Sequence, residues 1–226
     1  VGSEMCIRDR LDAEYGSQQL GFQQFSDGKT RYYHTDGTIA SGWMTTETDG
    51  NRYYFDENYV MQVGLTALED QLYYFSEDGA MRIGWQNVGD ARYHFGADGT
   101  AETGLQKIAG SSFYFADNGV MQKGWQTLNG NTYYFSQKNG AAETGIRKIG
   151  DSRYYFGKDG IMGTGWQTLD GNTYYFSEKN GAAVTGMQKI DGRNYRFTSD
   201  GILHIFKICL DAGHYGKYNI SPVNHA

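Results

Sequence analysis

Proline and cysteine are nearly absent from this chain of 226 residues, which contains one proline and two cysteines. Cys6 and Cys209 lie near opposite ends of the sequence, so no disulfide framework stabilises the fold. No apolar run approaches the roughly 18 to 20 residues of a membrane-spanning helix, and the first residues show no signal-peptide pattern. The net charge of −6 argues against a protein that binds nucleic-acid backbones, which needs a basic surface.

Glycine and tyrosine, by contrast, are abundant, with 32 and 19 residues. High glycine content without a collagen period, combined with many aromatic residues, favours short strands and tight turns over disorder.

The four tryptophans recur at a nearly fixed spacing, and each follows a glycine. Successive tryptophans are 42, 40 and 41 residues apart: Trp43, Trp85, Trp125 and Trp166. Halfway between them, glycine precedes an aliphatic residue instead: Leu65, Leu105, Ile146 and Met187. Units of about 20 residues that alternate in type predict a stacked repeat architecture.

Each unit has the pattern of a β-hairpin followed by a connector. In residues 165–186 a short apolar segment meets the turn signal Asp170-Gly171, and the aromatic strand Thr173 to Phe176 runs to a second turn at Asn180-Gly181. Nine such units are present, and an isolated hairpin is only marginally stable. We therefore predict an all-β fold, an elongated β-solenoid of tandem hairpins over residues 21–203.

The second strand of each unit carries three consecutive aromatic positions, whose side chains alternate between the two faces of the strand. The first is always Tyr or Phe, and the third is Phe except in the first unit, where it is His34. These outer positions are predicted to form the packed interior, with seven phenylalanines buried in register: Phe55, Phe75, Phe95, Phe115, Phe135, Phe156 and Phe176. The middle position tolerates His94 and Arg196 and is predicted to lie on a wetter face.

Two interpretations of the tryptophans remain open. In one, each Trp and the middle aromatic residues of its own and the next hairpin wall a shallow pocket for a quaternary ammonium group or a sugar ring. The predicted ligand-binding residues are then Trp43, Tyr54, Tyr74, Trp85, Tyr114, Trp125, Tyr134, Tyr155, Trp166 and Tyr175. In the other, Trp is only the larger of two alternating packing residues.

The predicted pockets differ in quality. The best two combine Trp43 with Tyr54 and Tyr74, and Trp125 with Tyr134 and Tyr155. The pocket at Trp85 has His94 in place of a tyrosine, and the pocket at Trp166 has Arg196 as the middle residue of the following hairpin.

Residues 165–176 (GWQTLDGNTYYF) and 116–125 (ADNGVMQKGW) resemble the cell-wall-binding, or choline-binding, repeats of Gram-positive surface proteins. The resemblance implies a hairpin solenoid with aromatic pockets between hairpins. It also implies a secreted, wall-associated protein, whose partner is choline, teichoic acid or wall polysaccharide. Choline-type repeats usually carry a further aromatic residue before the tyrosine pair, where this chain has Arg52, Leu72, Arg92, Ser112, Thr132, Arg153, Thr173 and Asn194. Choline and carbohydrate both remain candidate ligands.

The two ends of the chain do not follow the repeat pattern. Residues 1–20 are predicted to be a non-repeat segment, of which 1–10 look foreign to the rest. Residues 208–224 (ICLDAGHYGKYNISPVN) resemble the opening strand and first metal loop of zinc-dependent N-acetylmuramoyl-L-alanine amidases. The resemblance implies that His214 is a zinc ligand in an intact parent, and that residues 204–226 are the start of a truncated α/β catalytic domain.

The sequence thus predicts a cell-wall attachment module from a peptidoglycan hydrolase of the amidase type. A catalytic zinc site usually takes three protein ligands, so the chain itself is expected to have no catalytic residue, no cofactor and no amidase activity. The alternative is a carbohydrate-binding adhesin or toxin-like repeat domain with no enzymatic partner, against which the amidase-like segment argues.

Overall fold

The computed structural model describes residues 20–204, and the chain divides into two compact units between Glu143 and Thr144. The described residues form strands and turns, and they include no helix that could cross a membrane. The predicted all-β fold of tandem hairpins is confirmed for this part of the chain. The predicted features at Cys6, Cys209 and His214 lie outside the described residues.

Residues 20–143 of the first unit form six antiparallel hairpins, each of two strands that follow one another in the sequence. Its strands are β1 Gly21–Gln24, β2 Thr30–Tyr33, β3 Gly42–Thr45, β4 Arg52–Phe55, β5 Gly64–Leu68, β6 Gln71–Phe75, β7 Gly84–Val88, β8 Ala91–Phe95, β9 Gly104–Ile108, β10 Ser111–Phe115, β11 Gly124–Leu128 and β12 Asn131–Phe135.

The second unit contains three further hairpins within its described residues. Its strands are β13 Gly145–Ile149, β14 Ser152–Phe156, β15 Met162–Gly163, β16 Gly165–Leu169, β17 Asn172–Phe176, β18 Gly186–Ile190 and β19 Arg193–Phe197. Strand β15 pairs with β14 after the connector, and single bridges such as Phe55 to Met61 occupy the corresponding place in the other hairpins.

Tight turns close the hairpins where the sequence predicts them. Asn129 and Gly130 have φ angles of 50° and 80°, and Asp170 and Gly171 have φ angles of 51° and 77°. Two consecutive residues in the left-handed region define the turn whose twist matches that of a hairpin, and Asn-Gly and Asp-Gly adopt it at the lowest cost. These turns fix the register of the strands that follow.

The third aromatic position of each repeat forms the core. In the Trp and aliphatic hairpins this phenylalanine pairs with the glycine that opens the first strand, as Phe55 does with Gly42. The seven predicted phenylalanines are each at most 1 % exposed, which confirms that they are buried in register.

The register of the first hairpin differs from the predicted one. Tyr33 pairs with Gly21 and is 4 % exposed, so Tyr33 and not His34 occupies the interior position. Tyr32 takes the middle position opposite Phe22, with ring centroids 4.8 Å apart. Burying an imidazole without a full set of hydrogen bonds is costly, and a tyrosine at this position avoids that cost.

Backbone hydrogen bonds join each hairpin to the preceding one within both units. The residue that bridges to the core phenylalanine donates its N–H to a carbonyl at the start of the previous hairpin's second strand. Met61 N donates to Thr30 O over 2.8 Å, and Ala183 N donates to Arg153 O over 2.7 Å. The repeated bond sets how consecutive hairpins stack and thus which aromatic residues meet.

Candidate ligand-binding site at the tryptophan faces

The face at Trp166, in the second unit, shows the arrangement most clearly. Trp166 pairs across the hairpin with Tyr175, and their ring centroids lie 5.1 Å apart with an interplanar angle of 68°. Tyr195 of the next hairpin lies 4.9 Å away at 66°, and Phe197 lies behind at 6.0 Å. The indole is nevertheless 38 % exposed. Three inclined aromatic rings therefore form a corner that is open to solvent.

Trp43 has the same surroundings in the first unit. Tyr54 lies across the hairpin at 5.3 Å, and Tyr73 and Phe75 of the next hairpin lie at 5.0 and 5.8 Å. The indole of Trp43 is 38 % exposed, as is that of Trp166.

Trp85 has similar surroundings, but a histidine and a phenylalanine take the places of the two tyrosines. His94 lies across the hairpin at 4.9 Å, and Phe113 of the next hairpin lies at 4.9 Å. The imidazole Nδ1 of His94 lies 2.9 Å from the Glu102 carboxylate, which holds the ring beside the indole.

Trp125 is the most exposed of the four, at 42 %. Its partner across the hairpin is Tyr134, at 4.9 Å and 66°. The pairing of each Trp with the middle residue of its own hairpin is thus the same in all four Trp hairpins.

The prediction for the following hairpin was wrong at three of the four tryptophans. Trp43 meets Tyr73 rather than Tyr74, and Trp166 meets Tyr195 rather than Arg196. Trp85 likewise meets Phe113 rather than Tyr114. The middle residue of an aliphatic hairpin pairs with its own Leu, Ile or Met, as Tyr74 does with Leu65. Because side chains alternate along a strand, the residue before it then points to the opposite face, toward the preceding Trp.

The predicted residues Tyr74, Tyr114 and Tyr155 have a different role. Each packs against the buried phenylalanine of the next hairpin, at centroid distances of 6.1, 6.1 and 5.9 Å: Phe95, Phe135 and Phe176. At Trp43, Trp85 and Trp166 the indole itself covers that phenylalanine, as Trp43 covers Phe75. The two hairpin types therefore differ in which ring covers the next core residue.

Burial of the first aromatic position alternates with hairpin type. It is buried in the Trp hairpins, at 6 to 8 % exposure: Tyr53, Tyr93, Tyr133 and Tyr174. It is only half-buried in the aliphatic hairpins: Tyr73, Phe113, Tyr154 and Tyr195. The prediction that every first position belongs to the interior was therefore correct only for the Trp hairpins.

Two arginines missed as site residues lie over indole rings. The guanidinium carbon of Arg52 is 4.3 Å from the Trp43 ring centroid, and that of Arg92 is 4.2 Å from the Trp85 centroid. Both distances are within the range of cation–π attraction. The signal was present in the sequence, because each arginine stands two residues before the cross-strand partner of its Trp.

Threonine replaces these arginines in the other two Trp hairpins. Thr173 and Thr168 pair across the strands of the Trp166 hairpin with their hydroxyls 3.3 Å apart. Thr132 and Thr127 do the same in the Trp125 hairpin at 3.4 Å. Short side chains that bond to each other do not extend over the indole.

Acidic groups lie near the Trp166 corner. Desolvation raises the pKa of the Tyr175 hydroxyl, and the nearby Glu178 and Asp191 carboxylates raise it further. The same two carboxylates would favour a cation placed beside Tyr175. Residues 20–204 contain no cluster of three or more metal-binding side chains.

The family model for choline-binding repeats matches residues 102–142 and 143–185, and a model for a cell wall binding repeat matches residues 83–101. No curated protein sequence matches this chain at a significant level.

Several solved structures from Streptococcus pneumoniae are similar. CbpJ from strain TIGR4 is 22 % identical with a TM-score of 0.65, over 82 % of this chain and 88 % of that one. The choline-binding domain of CbpL is 27 % identical with a TM-score of 0.56, over 73 % and 87 %. The modular autolysin LytC, in complex with a synthetic peptidoglycan ligand, is 21 % identical with a TM-score of 0.56, over 82 % and 46 %. The chain thus carries repeats of the choline-binding, cell-wall-binding type over residues 83–185, in a fold shared with pneumococcal choline-binding proteins.

Proposed function

We propose that the repeats attach this protein to a bacterial cell wall by binding the quaternary ammonium group of choline on wall polymers such as teichoic acid. The observation that carries this proposal is the open corner of Trp166, Tyr175 and Tyr195, whose rings are inclined by 66 to 68°. Inclined rings contact a compact cation from several sides, whereas a sugar ring stacks on one flat face. The Glu178 and Asp191 carboxylates favour the cation further. A secreted, wall-associated protein follows from this function.

Replacing Trp166 by leucine tests the proposal. We expect Trp166→Leu to weaken binding to purified choline-containing cell walls by roughly 0.5 to 2 kcal/mol, the contribution of one aromatic face to a cation site. Millimolar choline should release the wild-type protein from the walls. The fold should be retained, because hairpins with Leu65 or Leu105 at this position form. The free energy of unfolding should nevertheless fall, because the indole covers Phe197, so binding is compared per folded molecule. Sedimentation with walls measures binding, and urea unfolding measures stability.

The matched control is Leu105→Ala, at the same register position of an aliphatic hairpin and 43 % exposed. It should leave wall binding unchanged. If Trp166→Leu unfolds the protein while affinity per folded molecule is retained, the indole is a packing residue and the proposal is wrong. If choline does not compete but Trp166→Leu still weakens binding, the ligand is a wall sugar.

We further propose that the repeats belong to a zinc-dependent peptidoglycan amidase, with His214 as a zinc ligand in the intact parent. This rests on the resemblance of residues 208–224 to the first metal loop of that family, and the segment lies outside the described residues. The similar fold of the autolysin LytC supports a wall-degrading context. The gene sequence beyond codon 226 tests this: downstream Glu and His codons in the amidase pattern support it, and an immediate stop codon contradicts it.

A further inference from the structure

The four tryptophan faces are not equivalent, and we propose that Arg52 and Arg92 are resident cations on Trp43 and Trp85. In this proposal each guanidinium occupies the indole face that an external quaternary ammonium group would use, so that Trp166 is an open site while Trp43 and Trp85 are closed. The identity of the ligand rests on the proposed function. The occupancy by arginine rests on the contacts of the arginines themselves.

The register places Arg52 over the indole of its own hairpin. Trp43 pairs with Tyr54 and Thr45 pairs with Arg52, so these four side chains share one face of the sheet. The guanidinium carbon lies 4.3 Å from the Trp43 centroid. Arg52 Nη1 also donates to the carbonyl oxygen of Asp98 over 3.4 Å, which holds the group in place.

Arg92 takes the same place in the Trp85 hairpin. Its partner across the strands is Asn87, and its guanidinium carbon lies 4.2 Å from the Trp85 centroid. Arg92 Nε is buried and has no hydrogen-bond partner among the described residues. The indole face is therefore a principal contact of this guanidinium.

Among residues 20–204, no arginine or lysine lies over the Trp166 indole as Arg52 lies over Trp43. Thr173 stands at the position of Arg52, and its hydroxyl pairs with that of Thr168 across the strands. Trp43 and Trp166 are both 38 % exposed, so solvent exposure alone does not separate the two faces. The difference between them is the charge already present over the ring.

A second cation at Trp43 must either displace the arginine or lie close to a like charge. Both alternatives are unfavourable, since like charges repel strongly at such distances when partly shielded from water. The arginine is tethered by its own chain, so it competes at a concentration that does not depend on the ligand in solution.

Indole NMR signals of the folded chain test the proposal one tryptophan at a time. The four Nε1–H signals are assigned with single Trp→Leu variants, and the protein is titrated with choline chloride. We expect the Trp43 and Trp85 signals to need at least about fivefold more choline than the Trp166 signal. In Arg52→Thr the Trp43 signal should move at the concentration that moves Trp166. In the reverse exchange, Thr173→Arg, the Trp166 signal should need at least about fivefold more choline than in the wild type.

Arg153→Thr is the matched control. It removes the same charge at the same register position of the Ile146 hairpin, which has no Trp, and should leave the Trp43 response unchanged. Arg92→Thr repeats the test at Trp85 should Arg52→Thr fail to fold. If Trp43 and Trp166 respond at equal choline concentrations in the wild type, the arginines do not occupy the faces, and choline binding still stands. If no indole responds in the wild type or in Arg52→Thr, choline binding itself is wrong, and the resident-cation proposal fails with it.

Discussion

At the scale of single residues, the turn between β5 and β6 carries avoidable strain. Glu69 and Asp70 have φ angles of 49° and 64°, a region that costs most residues about 1 kcal/mol or more. The same turn in the β11–β12 hairpin is formed by Asn129 and Gly130. We therefore expect the double variant Glu69→Asn/Asp70→Gly to raise the free energy of unfolding by about 1 kcal/mol in urea titrations.

The reverse exchange, Asn129→Glu/Gly130→Asp, is the control and should lower stability by a similar amount. If both double variants leave the free energy of unfolding unchanged, the left-handed φ angles do not strain these turns.

The residue-level details of the site were only partly predictable. Each Trp and its cross-strand partner follow from the hairpin register, as for Trp43 and Tyr54. Tyr73 could not be chosen over Tyr74, because alternation shows which residues share a strand face but not which face the next hairpin turns toward the indole. In the sequence, Arg52 was noted only as a position that lacks the aromatic residue of choline-type repeats. Its contact with Trp43 was not predicted, because the sequence does not show where a long flexible side chain lies.

At the scale of the hairpin, several connectors pack closely against the preceding repeat through a glycine. Gly119 has a φ angle of 77°, and a Cβ added there would lie 3.1 Å from Ala101 Cβ and 3.3 Å from Tyr93 Cδ1. Gly104 has a similar φ of 72°, with nothing within 4 Å of such a Cβ. Both substitutions to alanine strain the backbone, but only Gly119→Ala also overpacks. We expect Gly119→Ala to lower the free energy of unfolding by about 1 to 3 kcal/mol more than Gly104→Ala.

Urea unfolding of the two variants side by side measures the difference. Equal losses would show that the connector can move away from Tyr93 without cost.

The hairpins themselves were predictable because their signals are local. Asn-Gly and Asp-Gly turns fix the register, and a phenylalanine at one phase of each repeat identifies the core. The first hairpin was predicted out of register because its Tyr32-Tyr33 pair precedes His34, which imitates the aromatic triplet of the other units. What each hairpin packs against depends on contacts between repeats, which no local pattern encodes.

At the scale of the whole molecule, several connector aspartates link folding to pH. Asp98 accepts hydrogen bonds from the Thr100 backbone N–H and hydroxyl, and these lower the pKa of its carboxyl group. The Ser76 hydroxyl and the Ala80 N–H lower the pKa of Asp78 in the same way. A lowered pKa in the folded state stabilises the fold above the unfolded-state pKa of about 3.9, and this contribution is lost as the pH falls through the folded-state pKa.

We therefore expect stability to fall with pH below about pH 4, measured by urea unfolding between pH 6 and pH 3. Asn118 accepts the Val120 N–H in the equivalent connector, so asparagine preserves the backbone contact without a titrating group. The double variant Asp78→Asn/Asp98→Asn should accordingly fold at pH 6 and lose less stability on acidification. If the double variant loses as much stability on acidification as the wild type does, these carboxylates do not cause the loss.

The backbone bond that closes each hairpin onto its predecessor reaches about 30 residues back along the chain, as from Met61 to Thr30. In each of these pairs the partner that a hairpin needs has already been synthesised when the hairpin itself emerges. We expect the hairpins of each unit to assemble in the order in which they leave the ribosome or cross a membrane. The aromatic corners follow one step later, because Trp43 awaits Tyr73 and Trp166 awaits Tyr195. A unit that is only partly synthesised, or that has been shortened, therefore contains every aromatic corner whose following hairpin is present. It lacks only the corner of a Trp hairpin that has no hairpin after it.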